Sequence, residues 1–279
     1  MSGVSCRAVE REHENQYEDR PSLGIALDGG VLAITIDRPD RRNSLTDEMI
    51  HDLLAVLECA NTDERVRAIL VDSTGGDFCS GFDLGGRGGA PQRTGSTQRR
   101  LPTHAHGLVS RVTTVQIPIV AAVRGYAAGL GLHLALACDF CIAADDARLW
   151  EPFVKRGFTP DSGGTWFLPR FIGVARAKRM LMLGEPIDGR TAAAWGLIHE
   201  SVPADAVSAT ARHVATQLAG GPTVTLGLVK NLVREGLTDE LDSHLAREAL
   251  SLELSSRSQD FKEGMTALAE KRDANFTGR

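Results

Sequence analysis

The sequence predicts a layered α/β fold with a helical C-terminal subdomain, and three observations carry that prediction. A strand, helix, strand order appears early in the chain, in "LGIALDGGVLAITIDRP", "TDEMIHDLLAVLECA" and "RAILVDST". Short apolar runs such as "IVAAV" read as strands buried on both faces. From about Ala204 the pattern becomes helical. The 279 residues, 42% hydrophobic and 24% charged, are enough for one large core.

Residues 1–20 are polar and aperiodic and are expected to form a loose tail, with order beginning near Leu23. A core over 21–203 and a helical subdomain over 204–279 complete the division. Two alternating apolar runs flank Asp28-Gly29-Gly30, a hairpin signal, and the second strand should end by Pro39. Thr46 is an N-cap candidate before Met49, Leu53, Leu54 and Leu57, which recur at helical spacing. From Gly75 to about Arg100 the chain is so rich in Gly, Ser and Arg that no regular structure is expected. Such a stretch is either a lid or binding loop, or a surface insertion.

A helix near 103–116, the strand "IVAAV" and the stretch "GYAAGLGLHLALACD" come next, with a helix starting near Leu130. Then come the strand "FCIAA", the segment "GFTPDSGGTWFLPRFIG" with a helix start at Ser162, and the amphipathic "ARAKRMLMLG". Pro203, Pro222, Gly236 and Ser256 punctuate the C-terminal helices.

The net charge of −5 and pI near 5.9 give no basic field to attract nucleic acid. The N-terminal residues lack the apolar core of a signal peptide, and no run of 18 apolar residues occurs, so no membrane partner and a cytoplasmic location are expected. Five cysteines without regular spacing agree with a reducing compartment. Cys138 and Cys141 form a lone C-x-x-C that no second pair completes, so no metal is expected and the two read as small apolar residues at a helix-to-strand junction.

The segments "FCSGFD" and "GYAAGLGLHLA" each put small residues just after a buried strand. Small residues let a backbone approach a ligand and turn N–H groups toward it, and a helix start near Leu130 adds a positive dipole end. Two such donors converging on a carbonyl oxygen would make an oxyanion hole. Tight packing of a helix on a sheet explains the same spacing.

The ordered blocks "TIDRPDRRNSL", "GGDFCSGFDL", "IPIVAAVRGYAAGLGLHLALACDF", "GFTPDSGGTWFLPRFIG", "AWGLIHESVP" and "FKEGMTALAEKRDANF", spanning residues 23–278, resemble the crotonase, or enoyl-CoA hydratase/isomerase, family. The resemblance implies a spiral of ββα repeats with C-terminal helices, assembly as a homotrimer or dimer of trimers, and an acyl-CoA thioester as substrate, with coenzyme A as part of the substrate and no separate cofactor. It puts the oxyanion donors on the N–H groups of Ser80 and Leu130. It runs the coenzyme along Arg41, Asn43, Ser44 and Leu45 and along Gly81, Phe82, Asp83 and Leu84. Arg41, Arg42, Arg87, Arg93, Arg99 and Arg100 are the available cations for its phosphates.

The pattern departs from a family hydratase at both acid/base positions: where the resemblance expects two glutamates, this chain has His133 and Phe153. A phenyl ring can neither take a proton nor hold a water, which disfavours hydration by a glutamate pair. Asp161, in "TPDSGG", falls where some isomerases of the family carry a catalytic aspartate, and similar "PD-x-GGTW-x-LPR" segments occur in relatives resembling the ring-opening isomerase of phenylacetate degradation. Asp161 is thus the leading acid/base, with capping of the following helix as its alternative role. His133 is read either as a second acid/base facing the acyl group or as a packed, hydrogen-bonded histidine.

Trp150, Phe153, Phe158 and Trp166 are expected to cluster around a bulky or aromatic acyl group, or to be core aromatics. One proton-shuttling carboxylate suffices for a double-bond or ring isomerase. The competing readings are a hydratase using Glu151, displaced from the vacant position by Pro152, and a non-catalytic acyl-CoA-binding protein.

Overall fold

The computed structural model describes residues 17–85 and 93–279. Most of the expected tail, Cys6 and Arg87 lie outside the described residues. Residues 17–20, expected in that tail, are instead tied down. Arg20 bridges to Leu23, Asp19 accepts the Ile25 N–H at 2.7 Å, and Arg20 pairs with Asp52 at 2.8 Å.

The hairpin forms as predicted, β1 (Leu23–Asp28) antiparallel to β2 (Val31–Ile36), with Gly29 and Gly30 at positive φ in the turn. Helix α1 (Asp47–Thr62) begins at Thr46, whose hydroxyl accepts the Met49 N–H at 3.2 Å, and it buries Met49, Leu53 and Leu57. Strand β3 (Ala68–Ser73) comes next. The Gly-rich stretch is more regular than its composition suggests: Ser96–Arg100 is a helix, α2, from which Arg100 reaches Asp47 at the start of α1 at 3.4 Å. Tertiary contact there outweighs weak local propensity.

Helix α3 (Ala105–Thr114) leads to β4 (Ile119–Val123), β5 (Tyr126–Ala128), α4 (Leu130–Ala137), β6 (Phe140–Ala144) and β7 (Arg148–Trp150). Cys138 and Cys141 are buried free thiols at the α4–β6 junction. Helix α5 (Gly164–Lys178) starts two residues later than expected, after Gly163, and kinks at Gly173. Strand β8 (Ile187–Asp188), α6 (Gly189–Trp195) and β9 (Glu200–Val202) complete the core, and α7 (Val207–Ala219), α8 (Thr223–Gly236), α9 (Leu241–Ser255) and α10 (Gln259–Glu270) form the helical C-terminal region.

The main sheet has the order β1-β2-β3-β4-β6-β9, parallel from β2 onward, and β5-β7-β8 form a smaller second sheet. This turning of the chain between two sheets is the crotonase spiral. It brings the ends of β3 and β4 side by side, so the loops leaving them meet where a parallel sheet opens toward a ligand. Single parallel bridges, Leu45 to Phe82 and Cys79 to Ala127, lock those loops together. Among the described residues no helix is long and apolar enough to cross a membrane.

Candidate active site

All eight residues of α4, "LGLHLALA", are buried, as expected of a helix that is apolar all round. As the first residue of α4, Leu130 has an N–H with no acceptor inside the helix. The loop after β3 approaches that N–H through Gly81. A Cβ on Gly81, built at its φ of 103°, would lie 2.8 Å from the carbonyl oxygen of Ala128 and 3.7 Å from Leu130 N. Only glycine allows this approach at this φ.

Ser80 is not the second donor. Its N–H is committed to the carbonyl of Arg42 at 3.0 Å. The ladder around it is set by Leu45: Gly81 O accepts from Leu45 N and Asp83 N donates to Leu45 O, so the N–H of Phe82 between them points away from Leu45. A sequence block aligns residues but leaves open which way alternate N–H groups face.

A cavity of about 360 Å³ opens at this place, lined by Gly81, Phe82, Leu130, Phe153, Phe158 and Asp161. A second, of about 500 Å³, lies on the other side of Asp161 and is walled by Val109, Trp166 and Phe167. Asp161 lines both. Its carboxylate accepts the Ser162 hydroxyl at 3.1 Å, its backbone carbonyl accepts from His106 Nε2, and it makes no cap to α5. The other carboxylate lining the first cavity, Asp47, is engaged by Arg100 at 3.4 Å and lies 3.8 Å from His104.

His133 is absent from both cavities. It is fully buried, with Nδ1 2.6 Å from Ser162 Oγ and Nε2 2.8 Å from Glu151 Oε1, and its ring stacks on Phe153, which lines the cavity, at 5.8 Å and 4°. The reading of His133 as a group facing the acyl chain is therefore corrected to the packed alternative. Glu151 is equally sealed: Pro152 turns the chain so that Phe153, not Glu151, reaches the cavity.

The residues expected along the coenzyme separate. Ser44, Phe82, Asp83 and Leu84 line a groove of about 340 Å³ that joins the first cavity through Ser80, Phe82, Leu84 and Ala128. Asn43 and Leu45 are buried away from it. The Asn43 side chain donates to the carbonyls of Thr74 and Asp77 at 2.8 and 2.6 Å and accepts the Arg38 N–H at 2.7 Å, fixing a turn at φ 54°. Arg41 is exposed and does not line the groove, whereas Arg42 does, above the Tyr126 ring at 5.4 Å. Arg156 also lines it, and the short basic pair Lys155-Arg156 in "FVKRG" carries no sequence signal for that place. Arg38 pairs with Asp83 at 2.6 Å and, together with the Gly85 N–H, holds that carboxyl below its ordinary range.

The four aromatics do not form one cluster. Phe153 and Phe158 meet edge to face at 5.5 Å in the first cavity, Trp150 borders the groove with its indole N–H on Gly184 O at 2.9 Å, and Trp166 walls the second cavity. Among the described residues no three His, Cys, Asp or Glu side chains converge as a metal site requires.

The two loops meet at a helix start through Gly81, with the Asp161 carboxylate lining the same cavity. The chain belongs to the enoyl-CoA hydratase/isomerase family, whose pattern it matches over residues 27–279. It is 38% identical over 258 residues to 1,2-epoxyphenylacetyl-CoA isomerase of Escherichia coli (strain K12), covering 91% of this chain and 97% of that one. A Rhodobacter capsulatus protein with the name "Probable enoyl-CoA hydratase" is 40% identical over 258 residues, 92% of this chain and 98% of its own. The crystal structure of enoyl-CoA hydratase from Bacillus anthracis superposes with a TM-score of 0.87 at 29% identity, covering 93% of this chain and all of that one. The protein is thus an acyl-CoA enzyme of this family.

Proposed function

We propose that the protein is an acyl-CoA isomerase that shifts a double bond or remodels a ring through a thioester enolate, with Asp161 moving the proton. The supporting observation is the position of Asp161. It lines the cavity at the start of α4 and among the described residues its carboxylate accepts only a neutral hydroxyl, whereas Asp47 is engaged by Arg100 and Glu151 is sealed behind Phe153. The Leu130 N–H, helped by the helix dipole, receives the enolate oxygen.

Coenzyme A enters as part of the substrate and no separate cofactor is used. Its phosphates meet Arg42 and Arg156 along the groove, and the acyl group passes Asp161 toward Trp166 and Phe167, which suits a bulky or aromatic chain. Leu241, Leu250, Leu252 and Leu268, each at least 65% exposed on α9 and α10, support assembly of these helices into a homotrimer or dimer of trimers. The free buried thiols suit the cytoplasm. Neither nucleic acid nor membrane is a partner in this reading.

The test is mass spectrometry of 2-enoyl, 3-enoyl, dienoyl and ring-bearing CoA thioesters incubated with the protein in D2O, beside Asp161→Asn. Deuterium gain without added water, lost in Asp161→Asn, is the expected result. Addition of a whole water overturns the isomerase, and binding without any change favours a non-catalytic protein.

A further inference from the structure

Three buried polar side chains line up behind Asp161, which itself faces the two cavities. Glu151 Oε1 lies 2.8 Å from His133 Nε2, His133 Nδ1 lies 2.6 Å from Ser162 Oγ, and the Ser162 hydroxyl donates to Asp161 Oδ1 at 3.1 Å. Glu151, His133 and Ser162 are 0%, 0% and 2% exposed, and Glu151 Oε2 is buried with no hydrogen-bond partner. An arrangement this dry is expensive unless each polar atom has a use. Gly164 makes it possible. A Cβ there would collide with His133 Nε2 and come within 2.9 Å of Glu151 Oε1.

The direction of the bonds is set by counting protons. A carboxylate at Asp161 only accepts, so the Ser162 hydrogen points to it, and Ser162 Oγ must then accept from His133 Nδ1–H. One further proton lies between Nε2 and Glu151, whichever of the two holds it. The two donors nearest the site, the Ser162 hydroxyl and His133 Nδ1–H, therefore both face Asp161.

We infer that Glu151, His133 and Ser162 are positioning residues for the proton-moving carboxylate, a directed donor chain that pins Asp161 Oδ1 and leaves the other carboxylate oxygen to the substrate. The inference rests on the proposed role of Asp161. No bond is made or broken in the chain, and its three protons are the same before and after turnover.

The test compares Ser162→Ala, Ser162→Thr, Glu151→Gln, the Ser162→Ala/Glu151→Gln double variant and Asp161→Asn on a thioester that the wild type isomerises. Ser162→Ala is expected to lose about tenfold in kcat, the worth of one charge-assisted hydrogen bond, with KM within about twofold. Ser162→Thr, which keeps the hydroxyl, recovers kcat. Glu151→Gln loses less than Ser162→Ala, and adds nothing once Ser162 is Ala, because the link to Asp161 is already cut.

The other charged or titratable groups around the two cavities of Asp161 are His104, His106, Arg156, the Arg100–Asp47 pair and the Arg234–Glu235 pair. All are common to every variant, so the differences report the chain alone. A rise in KM with kcat unchanged in Ser162→Ala, no recovery with threonine, or additive losses in the double variant overturns the inference. If Glu151→Gln does not fold, the Ser162 pair decides by itself. Turnover surviving in Asp161→Asn overturns the proposed function instead. Turnover lost in Asp161→Asn but intact in Ser162→Ala overturns only the donor chain.

Discussion

His133 Nε2 and Glu151 Oε1 are 2.8 Å apart with neither side chain exposed, a polar pair closed inside the packing of α4 against α5. Removing one member strands the other in a medium that cannot solvate it. His133→Leu is expected to cost about 3–5 kcal/mol of stability, and His133→Leu with Glu151→Met to recover most of that loss. Urea unfolding of both single variants and the double variant checks this, and additive losses contradict it.

In the proposed function Leu130 contributes a backbone atom, so its side chain is the wrong thing to change. Proline is tolerated at the first residue of a helix and has no N–H. Leu130→Pro is therefore expected to keep its circular dichroism and thioester binding while kcat falls by about 10²–10³. Unchanged turnover would remove Leu130 from the oxyanion site.

Burial pushes the thiols of Cys79 and Cys141 up to about 12 and raises that of Cys138 as well. At pH 8 an alkylating reagent should modify the half-buried Cys59 and leave these three untouched until the chain is unfolded. Peptide mass mapping of native and denatured samples reads the difference.

Glu263 on α10 is held down to about 2, below its ordinary 4.5, by Arg272 and by the Asn275 N–H. A folded value below the unfolded one means that this contribution to stability is complete above pH 4.5 and is lost as pH falls toward 2. The urea midpoint should fall between pH 5.5 and 3, and by less in Glu263→Gln. Equal slopes in both proteins would deny the carboxylate this role.

Local signals were legible in the sequence where local physics decides the structure. Asp28-Gly29-Gly30 can hardly do other than turn, Thr46 caps the helix that starts at Asp47, and "IVAAV" belongs inside a sheet. The features that stayed hidden depend on distance along the chain or on phase. Glu151 and Ser162 meet His133 across 18 and 29 residues, and no periodicity links them. Ser80 looks like a donor until the fold brings the Arg42 carbonyl to its N–H. Asn43 has the polarity of a ligand group, yet three backbone partners consume it.

The sealed pair also constrains how such a chain can be reached by single substitutions. A glutamate arriving first at 151 would sit in the interior with no partner at all. A histidine arriving first at 133 finds the Ser162 hydroxyl already in reach of Nδ1, and needs only one more partner. With Gly164 in place beforehand to leave the room, the passable order is histidine and then glutamate, and the stabilities of the His133→Leu and Glu151→Met single variants rank those steps directly.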